Sequence, residues 1–223
     1  MLPENVSGIP VHHTKADRLF PLIKHYGEER GLSFGSLLDV GAGTRTLDSW
    51  FSRFPLATQP YSYAAAESDP RIVEILKERS LETIDPFKED RPSDLVVAME
   101  VLEHITVEDA PGFMDFCARN TKKMFAMTCP NFEGWRNLKP TEEMKECRYI
   151  PDHFRYFDPK SSNPHIHKQE TTPLTVHEQL SGAFDPSLWD IKVYRAWPWT
   201  LTDLARNTVF QVYFKVFAVA IRK

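Results

Sequence analysis

The sequence predicts an α/β fold built on a mostly parallel β-sheet, and three features of the chain support this. First, the apolar segment 37–40 ends in the glycine turn 41–43 and is followed by apolar residues at helical spacing. Second, apolar runs alternate with helical patterns through residues 14–130, which is typical of strands joined by crossover helices. Third, the link between the last two predicted strands is too short for a crossover helix, which favours antiparallel pairing.

Composition limits the class of protein. At 223 residues the chain has the length of one domain with a sizeable core, and its net charge of −4 gives no overall attraction to nucleic acid or anionic membrane. No apolar run is long enough to span a membrane, so no membrane insertion is expected. The cysteines Cys117, Cys129 and Cys147 have no metal-binding spacing, and the N-terminus lacks signal-peptide features. We therefore expect a single cytoplasmic domain with free thiols.

The first elements follow from apolar spacing. A helix is predicted over residues 14–29, and Gly31 is expected to terminate it. The continuous apolar run Leu37–Val40 predicts a strand buried on both faces. After the glycine turn, four residues at i, i+3, i+4 and i+7 predict a helix with one apolar face: Leu47, Trp50, Phe51 and Phe54. Because glycine adopts positive φ and lets a ligand approach the backbone, the turn is a candidate nucleotide-binding loop.

An acidic residue ends the second predicted strand. Residues 62–66 form this strand, and Glu67-Ser68 lead into the next helix. Asp69 and Pro70 are the residue types preferred at the N-cap and at the first helical position. An acid at this place can accept hydrogen bonds from the ribose hydroxyls of a nucleoside cofactor, so Glu67 is a candidate ribose ligand. The alternative is a surface acid near the start of a helix.

Three more strands complete the parallel part of the predicted sheet: 81–84, 94–99 and 124–128. The first ends at Asp85. We expect Asp85 either to face the adenine amino group of a cofactor or to form a plain turn. The second is strongly apolar and ends at Met99. Thr106 and Asp109 are predicted to form a capping pair for the helix before the third strand.

Residues 130–174 interrupt the alternation. They are aromatic, charged and rich in proline, without a sustained period. A loop of this length is uncommon in a compact domain unless it is functional, so we interpret it as a cap over the site. A helix follows, with Thr175 and Glu178 as its predicted capping box. Strands are then predicted at 189–194 and 208–221.

Taken together, the motifs resemble those of the class I S-adenosylmethionine-dependent methyltransferases. Residues 37–43, LLDVGAG, resemble the first motif of that family, which holds the methionine part of the cofactor. Residues 94–105, DLVVAMEVLEHI, and 124–131, MFAMTCPN, resemble two motifs of the branch that includes the quinone-biosynthesis O-methyltransferases. The resemblance covers residues 14–130 and, more loosely, 165–223.

This resemblance implies a Rossmann-like fold: a seven-stranded, mostly parallel sheet with an antiparallel last strand and helices on both faces. It implies one methyltransferase domain over residues 1–223, with the cap-like insertion at 130–174, and S-adenosyl-L-methionine as cofactor. The residues expected to line the cofactor pocket are Asp39, Gly41, Ala42, Gly43, Glu67, Ser68, Asp85, Met99 and Glu100. Arg45 stands where the family usually has a third glycine, so its side chain must point away from the cofactor or reach its carboxylate.

The chemistry then defines candidate catalytic residues. Methyl transfer from a sulfonium requires the acceptor to be held in line with the methyl group and water to be excluded. A hydroxyl acceptor also needs a general base, for which histidine is the usual residue near neutral pH. The candidates are His104, after the fourth strand, and His153, His165 and His167 in the cap. We expect a small molecule, sugar or lipid precursor as the acceptor, with nucleic acid less favoured.

Two other functions stay open. Glu100, Glu103 and His104 lie on one helical face and, with His165 or His167, could hold a divalent ion. Some metal-assisted RNA 2′-O-methyltransferases look similar at this stretch, which gives an alternative function. Many methyltransferases with such a stretch bind no metal there, so we assign no metal ligand. The other alternative is a catalytically inactive methyltransferase-fold module that binds or activates a partner.

Overall fold

Seven strands form one sheet in the computed structural model, which describes residues 13–44, 46–132, 158–161, 166–203 and 208–223. The strands are β1 (Phe34–Val40), β2 (Ala57–Ala66), β3 (Glu82–Ile84), β4 (Ser93–Met99), β5 (Thr121–Pro130), β6 (Trp189–Asp203) and β7 (Thr208–Arg222). The helices in the described part are α1 (His13–Glu29), α2 (Asp48–Phe51), α3 (Pro70–Glu78), α4 (Ala110–Asn120) and α5 (Pro173–Ala183). A 3₁₀ turn, Leu102–His104, follows β4.

The strand order is β3-β2-β1-β4-β5-β7-β6. Strands β1 to β5 are parallel, whereas β7 is antiparallel to both of its neighbours, β5 and β6. This confirms the predicted Rossmann-like, mostly parallel sheet with an antiparallel last strand. The chain leaves β1 toward β2 on one side and later returns to β4 on the other, so a crevice opens at the carboxyl ends of β1 and β4.

Apolar side chains cover both faces of the sheet. On one face Leu38, Val96 and Phe125 pack with α4 and α5, and on the other Leu37 and Leu95 pack with α1 and the region around α2. Neighbouring residues of one strand therefore serve opposite cores, which explains the continuous apolar character of β1 and β4. The predicted placement of helices on both faces is confirmed.

The helix predicted after the glycine turn is much shorter than its apolar spacing suggested. Only Asp48–Phe51 is α-helical, and β2 begins at Ala57. Pro55 explains the stop, because a proline disfavours helical conformation in the residue before it. Leu47, Phe51 and Phe54 are nevertheless buried against α1. The spacing therefore indicated burial correctly and helix length wrongly.

Side-chain caps set the starts of two helices. Asp69 caps α3 as predicted, with Oδ1 accepting a 2.9 Å hydrogen bond from the backbone N–H of Arg71. The capping box of α5, however, is Thr172 with Thr175, and the prediction of Thr175 with Glu178 is wrong by one turn. Pro173 allows the earlier start because its fixed φ and missing N–H suit the first helical position. None of the helices in these described ranges has the length and apolarity needed to cross a membrane.

Candidate active site

The glycine turn lies at the carboxyl end of β1, and its two glycines have different roles. Both adopt left-handed φ, +65° at Gly41 and +57° at Gly43. A Cβ at position 41 would lie 2.5 Å from Cγ2 of Val101, whereas a Cβ at position 43 would meet nothing within 4 Å. Gly41 therefore allows the turn to pack against the residues after β4. Gly43 leaves open space beside the backbone, where a ligand can approach.

Asp39 is buried below this turn, with 3 % of its surface exposed. Its Oδ2 accepts hydrogen bonds from the Tyr63 hydroxyl at 2.8 Å and from the backbone N–H of Leu47 at 3.0 Å. Burial raises the pKa of Asp39 to about 7, although these two hydrogen bonds act in the opposite direction. The side chain thus joins β1, β2 and the far end of the glycine turn. The structure places this predicted pocket residue under the turn as its support.

Glu67 links the glycine turn to the start of α3. Its Oε2 accepts a 3.1 Å hydrogen bond from the backbone N–H of Gly43. Its Oε1 accepts from the backbone N–H groups of Ser68 at 2.8 Å and Asp69 at 3.0 Å. A carboxylate offers about four acceptor positions, so these three donors leave capacity for a hydroxyl group of a ligand. The predicted ribose ligand and the glycine turn are therefore in direct contact.

A cavity of about 480 Å³ opens beside this contact. The residues that line it come from the glycine turn and from the start of α3: Gly43, Thr44, Asp69, Arg71 and Ile72. Its volume lies in the range of small-ligand pockets, which is on the order of 300–1,000 Å³. The open side of Gly43 and the N-terminal turn of α3 thus bound a space of suitable size for a nucleoside.

For the other predicted pocket residues, the contacts in the structure point less clearly to a ligand. Asp85 accepts hydrogen bonds from Lys88 Nζ at 2.7 Å and from the backbone N–H of Phe87 at 2.9 Å, as in a plain turn. The hydrogen bond from Lys88, more than the others, lowers the pKa of Asp85. Ala42 and Met99 are half-buried and pack against the core on the α1 side. Asp85 is therefore engaged within its own turn, whereas Ala42 and Met99 flank the crevice.

Glu100 follows β4 in a strained conformation, with φ of +57°. Its backbone N–H donates to the carbonyl of Thr128 at 2.8 Å, and its Oε1 accepts from the Thr128 hydroxyl at 3.0 Å. Its Oε2 accepts a hydrogen bond from Nζ of Lys215 on β7. The side chains of Glu100 and Lys215 are 14 % and 13 % exposed, so this ion pair is largely buried.

Lys215 is a site residue that the sequence analysis missed. The signal was present, because Lys215 is a lysine in the middle of a mostly apolar and aromatic strand, and lysine is rarely buried without a partner. Burial lowers the pKa of Lys215, but the negative charges of Glu100 and Glu103 outweigh this and raise it above its ordinary value. The charged form of Lys215 is therefore favoured at this place.

Glu103, His104 and His167 form a second group next to this pair, which we name the Glu-His-His cluster. One possible ligand atom from each residue lies within 4.8 Å of the other two. Glu103 is buried, and the two imidazole rings meet edge to face with their centroids 4.8 Å apart. Nδ1 of His104 lies 3.2 Å from the carbonyl oxygen of Ile166. The structure thus brings His167, but not Glu100, to the residues weighed for a metal ion.

A hydrogen-bonded segment holds His167 in this cluster. Nε2 of Gln169 donates to the carbonyls of Leu102 at 2.7 Å and Ile105 at 3.0 Å, and so bridges the 3₁₀ turn after β4. The backbone N–H of Lys168 donates to the carbonyl of Glu103 at 2.7 Å. These contacts fix the end of the predicted cap against the carboxyl end of β4. No periodic signal in the sequence marked Gln169.

Three residues that the sequence analysis weighed for the site lie outside the described residues. His153 and His165 were candidate bases in the cap, and Arg45 replaces the third glycine of the family motif. Of the four candidate bases, the structure therefore describes His104 and His167, which contact each other.

Comparisons with known proteins agree with this geometry. Residues 11–163 match a family model described as a methyltransferase domain. A search of curated protein sequences gave no match. Among solved structures, the plantazolicin methyltransferase BpumL, solved with SAH and a triazolic desmethylPZN analogue, is 14% identical with a TM-score of 0.62, and the match covers 94% of this chain and 85% of that one.

Two further structures have the same fold. A SAM-dependent methyltransferase from Archaeoglobus fulgidus is 13% identical with a TM-score of 0.56, over 96% of this chain and 100% of that one. The small RNA methyltransferase HEN1 is 14% identical with a TM-score of 0.58, over 99% of this chain and 27% of that one. These identities support the fold alone, whereas the family model matches more than half of the sequence. The chain therefore belongs to the methyltransferase-domain family.

Proposed function

We propose that this chain is an S-adenosylmethionine-dependent methyltransferase that transfers the methyl group to a hydroxyl oxygen of a small molecule, sugar or lipid precursor. Family membership supports methyl transfer. Proteins with the same fold include a SAM-dependent methyltransferase from Archaeoglobus fulgidus and BpumL, which was solved with SAH. The resemblance of residues 94–105 to the quinone-biosynthesis branch favours a hydroxyl acceptor.

The observation that carries the cofactor proposal is the contact between Glu67 and Gly43. The Glu67 carboxylate lies 3.1 Å from the backbone N–H of Gly43, beside the cavity of about 480 Å³. The remaining acceptor capacity of Glu67 suits the two ribose hydroxyls of a nucleoside. The open space beside Gly43 leaves room for the methionine part of the cofactor. Both features lie at the carboxyl ends of β1 and β2, where ligands bind in sheets of this topology.

His104 is the base that we propose for this reaction. Its Nδ1 lies 3.2 Å from the Ile166 carbonyl, which favours the tautomer with a proton on Nδ1. Nε2 is then the nitrogen that can accept the proton of the acceptor hydroxyl. The bound cofactor supplies an electrophilic methyl group, and the chain must orient the acceptor and exclude water.

Calorimetry with S-adenosylhomocysteine tests the proposal. We expect the wild-type protein to bind, and Glu67→Ala to weaken binding by about tenfold or more, because each hydrogen bond to a charged group contributes about 1.5–3 kcal/mol. Glu67→Gln keeps the shape and removes the charge, so its affinity should lie between the two. Wild-type protein that shows no binding at millimolar ligand would contradict the proposed function.

The Glu-His-His cluster favours a second candidate, metal-assisted methylation of an RNA 2′-hydroxyl. Two imidazoles and one carboxylate suit Zn²⁺ or another transition-metal ion, and suit Mg²⁺ less well because it prefers oxygen ligands. An ion held by Glu103, His104 and His167 would lower the pKa of the acceptor hydroxyl. His104 would then be a ligand and not the base. One protein with the same fold is the small RNA methyltransferase HEN1.

Divalent-ion binding separates the two candidates. Under the metal-assisted function, Mn²⁺ should bind in calorimetry, and His167→Ala should abolish that binding. His177→Ala is the matched control, because His177 is an exposed histidine on α5 outside the cluster. Turnover that survives a chelator, in a protein that binds no Mn²⁺, would exclude metal assistance and leave His104 as the base.

A further inference from the structure

We propose that Arg79 is a positioning residue that fixes the spacing between the two walls of the cavity beside Glu67. Arg79 is the residue directly after α3, and its guanidinium group donates a hydrogen bond to the glycine turn. This inference rests on the proposed methyltransferase function. It adds a residue outside the motifs that the sequence analysis identified.

The cavity has two walls that come from different elements. Gly43 and Thr44 of the glycine turn form one wall, and the first turn of α3 forms the other with Asp69, Arg71 and Ile72. A ligand between the walls contacts both of them, so its affinity depends on how closely the free protein already holds them at the right spacing.

Two side chains connect these walls. Glu67 accepts from the backbone N–H of Gly43 at 3.1 Å and from the backbone N–H of Asp69 at 3.0 Å. Arg79 makes the second connection, because its Nη1 donates a 2.6 Å hydrogen bond to the carbonyl oxygen of Thr44. Glu67 therefore holds the N-cap of α3, and Arg79 holds the C-cap. Movement of α3 away from the glycine turn would break at least one of these contacts.

The helical spacing directs Arg79 toward this region. Ile72, Leu76 and Arg79 follow at i, i+4 and i+7, so they lie on one face of the helix. Ile72 lines the cavity, and Leu76 is buried in the core that also contains Leu47 and Phe51. Arg79 thus continues the face of α3 that packs against the glycine turn and the segment after it.

The end of α3 gives Arg79 a fixed starting position. Its backbone N–H donates to the carbonyl of Leu76 at 3.1 Å, and the N–H of Ser80 donates to the carbonyl of Lys77 at 2.9 Å. Ser80 adopts φ of +59°, which is rare for a residue with a side chain and persists where neighbouring contacts determine it. The guanidinium group therefore reaches the glycine turn from a backbone that is itself held in place.

Calorimetry with S-adenosylhomocysteine tests the role of Arg79. We expect Arg79→Ala to weaken binding by about fivefold, which is the effect of one charge-assisted but exposed hydrogen bond. Its melting temperature should stay within about 2 °C of the wild type, because an exposed side chain contributes little to the core. Arg79→Lys keeps a cationic donor and should lie within about twofold of the wild-type affinity.

Arg53→Ala is the matched control. Arg53 is also an exposed arginine that donates to a carbonyl oxygen, that of Ser49 at 3.1 Å, but it does not line the cavity. Its removal should leave the affinity within about 1.5-fold of the wild type. A folded Arg79→Ala protein with wild-type affinity would overturn the proposal. Absence of binding by the wild type would contradict the proposed function instead.

A second ligand, 5′-methylthioadenosine, separates positioning from direct contact. It shares the base and the ribose with S-adenosylhomocysteine but lacks the amino-acid end. If Arg79 holds the walls, Arg79→Ala should weaken both ligands by the same factor, to within about twofold. A loss confined to S-adenosylhomocysteine would mean that Arg79 contacts the amino-acid end directly, and the positioning role would be wrong.

Hydrogen exchange shows whether Arg79 acts on the glycine turn. The Gly43 amide is protected by its hydrogen bond to Glu67, so its exchange reports on the contact between the walls. Arg79→Ala should speed up exchange at Gly43 by about fivefold, while exchange at the buried Leu38 on β1 should stay unchanged. Unchanged exchange at Gly43 would show that the turn does not depend on Arg79, and the proposal would fail.

Discussion

Tyr63 donates a 2.8 Å hydrogen bond to Oδ2 of Asp39, and this buried pair ties β2 to the strand that leads into the glycine turn. The same Oδ2 accepts from the backbone of Leu47, at the far end of the turn. Above the turn, Glu67 accepts from Gly43. The glycine turn is therefore held by two carboxylates, one beneath it in the core and one beside the cavity. Only the second is accessible to a ligand.

The buried position of Asp39 predicts a pH-dependent stability. Burial raises its pKa from 3.8 to about 7 in the folded protein. The group is protonated in both states below about pH 4 and ionised in both above about pH 8. The stability that it contributes is therefore present at low pH and is lost as pH rises through 7. Between these limits, the ionisation of Asp39 should lower the free energy of unfolding by about 4 kcal/mol.

Asp39→Asn should remove this pH dependence. Both hydrogen bonds reach one oxygen of Asp39, and the amide oxygen of asparagine can accept them in the same place. Urea unfolding at pH 5 and pH 8 measures the change, and the Asp39→Asn variant should gain stability relative to the wild type at pH 8. Asp48→Asn is a matched control, because Asp48 accepts from Tyr61 in a similar but more exposed pair. Equal pH dependence in wild type and Asp39→Asn would contradict the prediction.

The two glycines of the turn should respond differently to alanine. Gly41→Ala brings a Cβ to 2.5 Å from Val101 in addition to left-handed strain, and valine adjusts little because it is β-branched. We expect it to destabilise the fold by about 3 kcal/mol or more. Gly43→Ala meets no neighbour, so its cost should be the backbone strain of about 1–2 kcal/mol.

For cofactor affinity we expect the opposite order, with the larger loss in the Gly43→Ala variant. Gly43→Ala fills the open space beside the cavity and should weaken S-adenosylhomocysteine by tenfold or more, an expectation of roughly 1.4 kcal/mol. Thermal unfolding and calorimetry on the same samples separate the two effects. Full affinity in Gly43→Ala would mean that the ligand does not approach the turn at this position.

The cap of α5 gives a prediction on stability alone. Thr172 Oγ1 accepts from the backbone N–H of Thr175 at 3.1 Å, and the Thr175 hydroxyl accepts from the backbone N–H of Thr172 at 2.8 Å. Thr172→Ala should lower the free energy of unfolding by about 1 kcal/mol. Glu178→Ala should change it by less than about 0.5 kcal/mol, because Glu178 is an exposed residue inside the helix. A larger effect of Glu178→Ala than of Thr172→Ala would instead support the capping box of Thr175 and Glu178 expected from the sequence.

The sheet could be predicted from the sequence because strands buried on both faces are continuous apolar runs, which can be recognised locally. The runs at Leu37–Val40 and at 94–99 could be identified without knowledge of their partners, and the short final connection indicated the antiparallel strand. The glycine turn and Glu67 followed from their places at the ends of strands, and the structure brings them together.

Contacts between distant parts of the chain could not be predicted in this way. Lys215 and Glu100 are 115 residues apart, and Gln169 and Leu102 are 67 residues apart. The register of β7 against β5 and the return of the chain after the insertion create these contacts, and neither leaves a periodic pattern. Even the histidine of the cluster, His167, was one of two alternatives until the fold placed it beside His104.

Gln169 connects the fold to the candidate chemistry and gives the last prediction. Its side chain is buried and bridges the carbonyls of Leu102 and Ile105, while its Oε1 accepts from Gln179 at 3.2 Å. Gln169→Leu keeps the volume but removes one hydrogen bond from each of the two carbonyls, and of the two only the Leu102 carbonyl keeps a donor, the backbone N–H of Ile105 at 3.1 Å. The loss should cost about 1–3 kcal/mol. We therefore expect a lower melting temperature and a looser attachment of His167 to the turn after β4.

The functional consequence distinguishes this bridge from an ordinary packing contact. If His104 acts beside a fixed His167, Gln169→Leu should lower kcat by tenfold or more while S-adenosylhomocysteine affinity stays near that of the wild type, since Glu67 and Gly43 are untouched. Gln179→Leu removes one hydrogen bond to Gln169 without exposing the carbonyls, so its kcat should stay within about threefold of the wild type. A Gln169→Leu enzyme with unchanged kcat would show that the segment after the cap takes no part in positioning the catalytic groups.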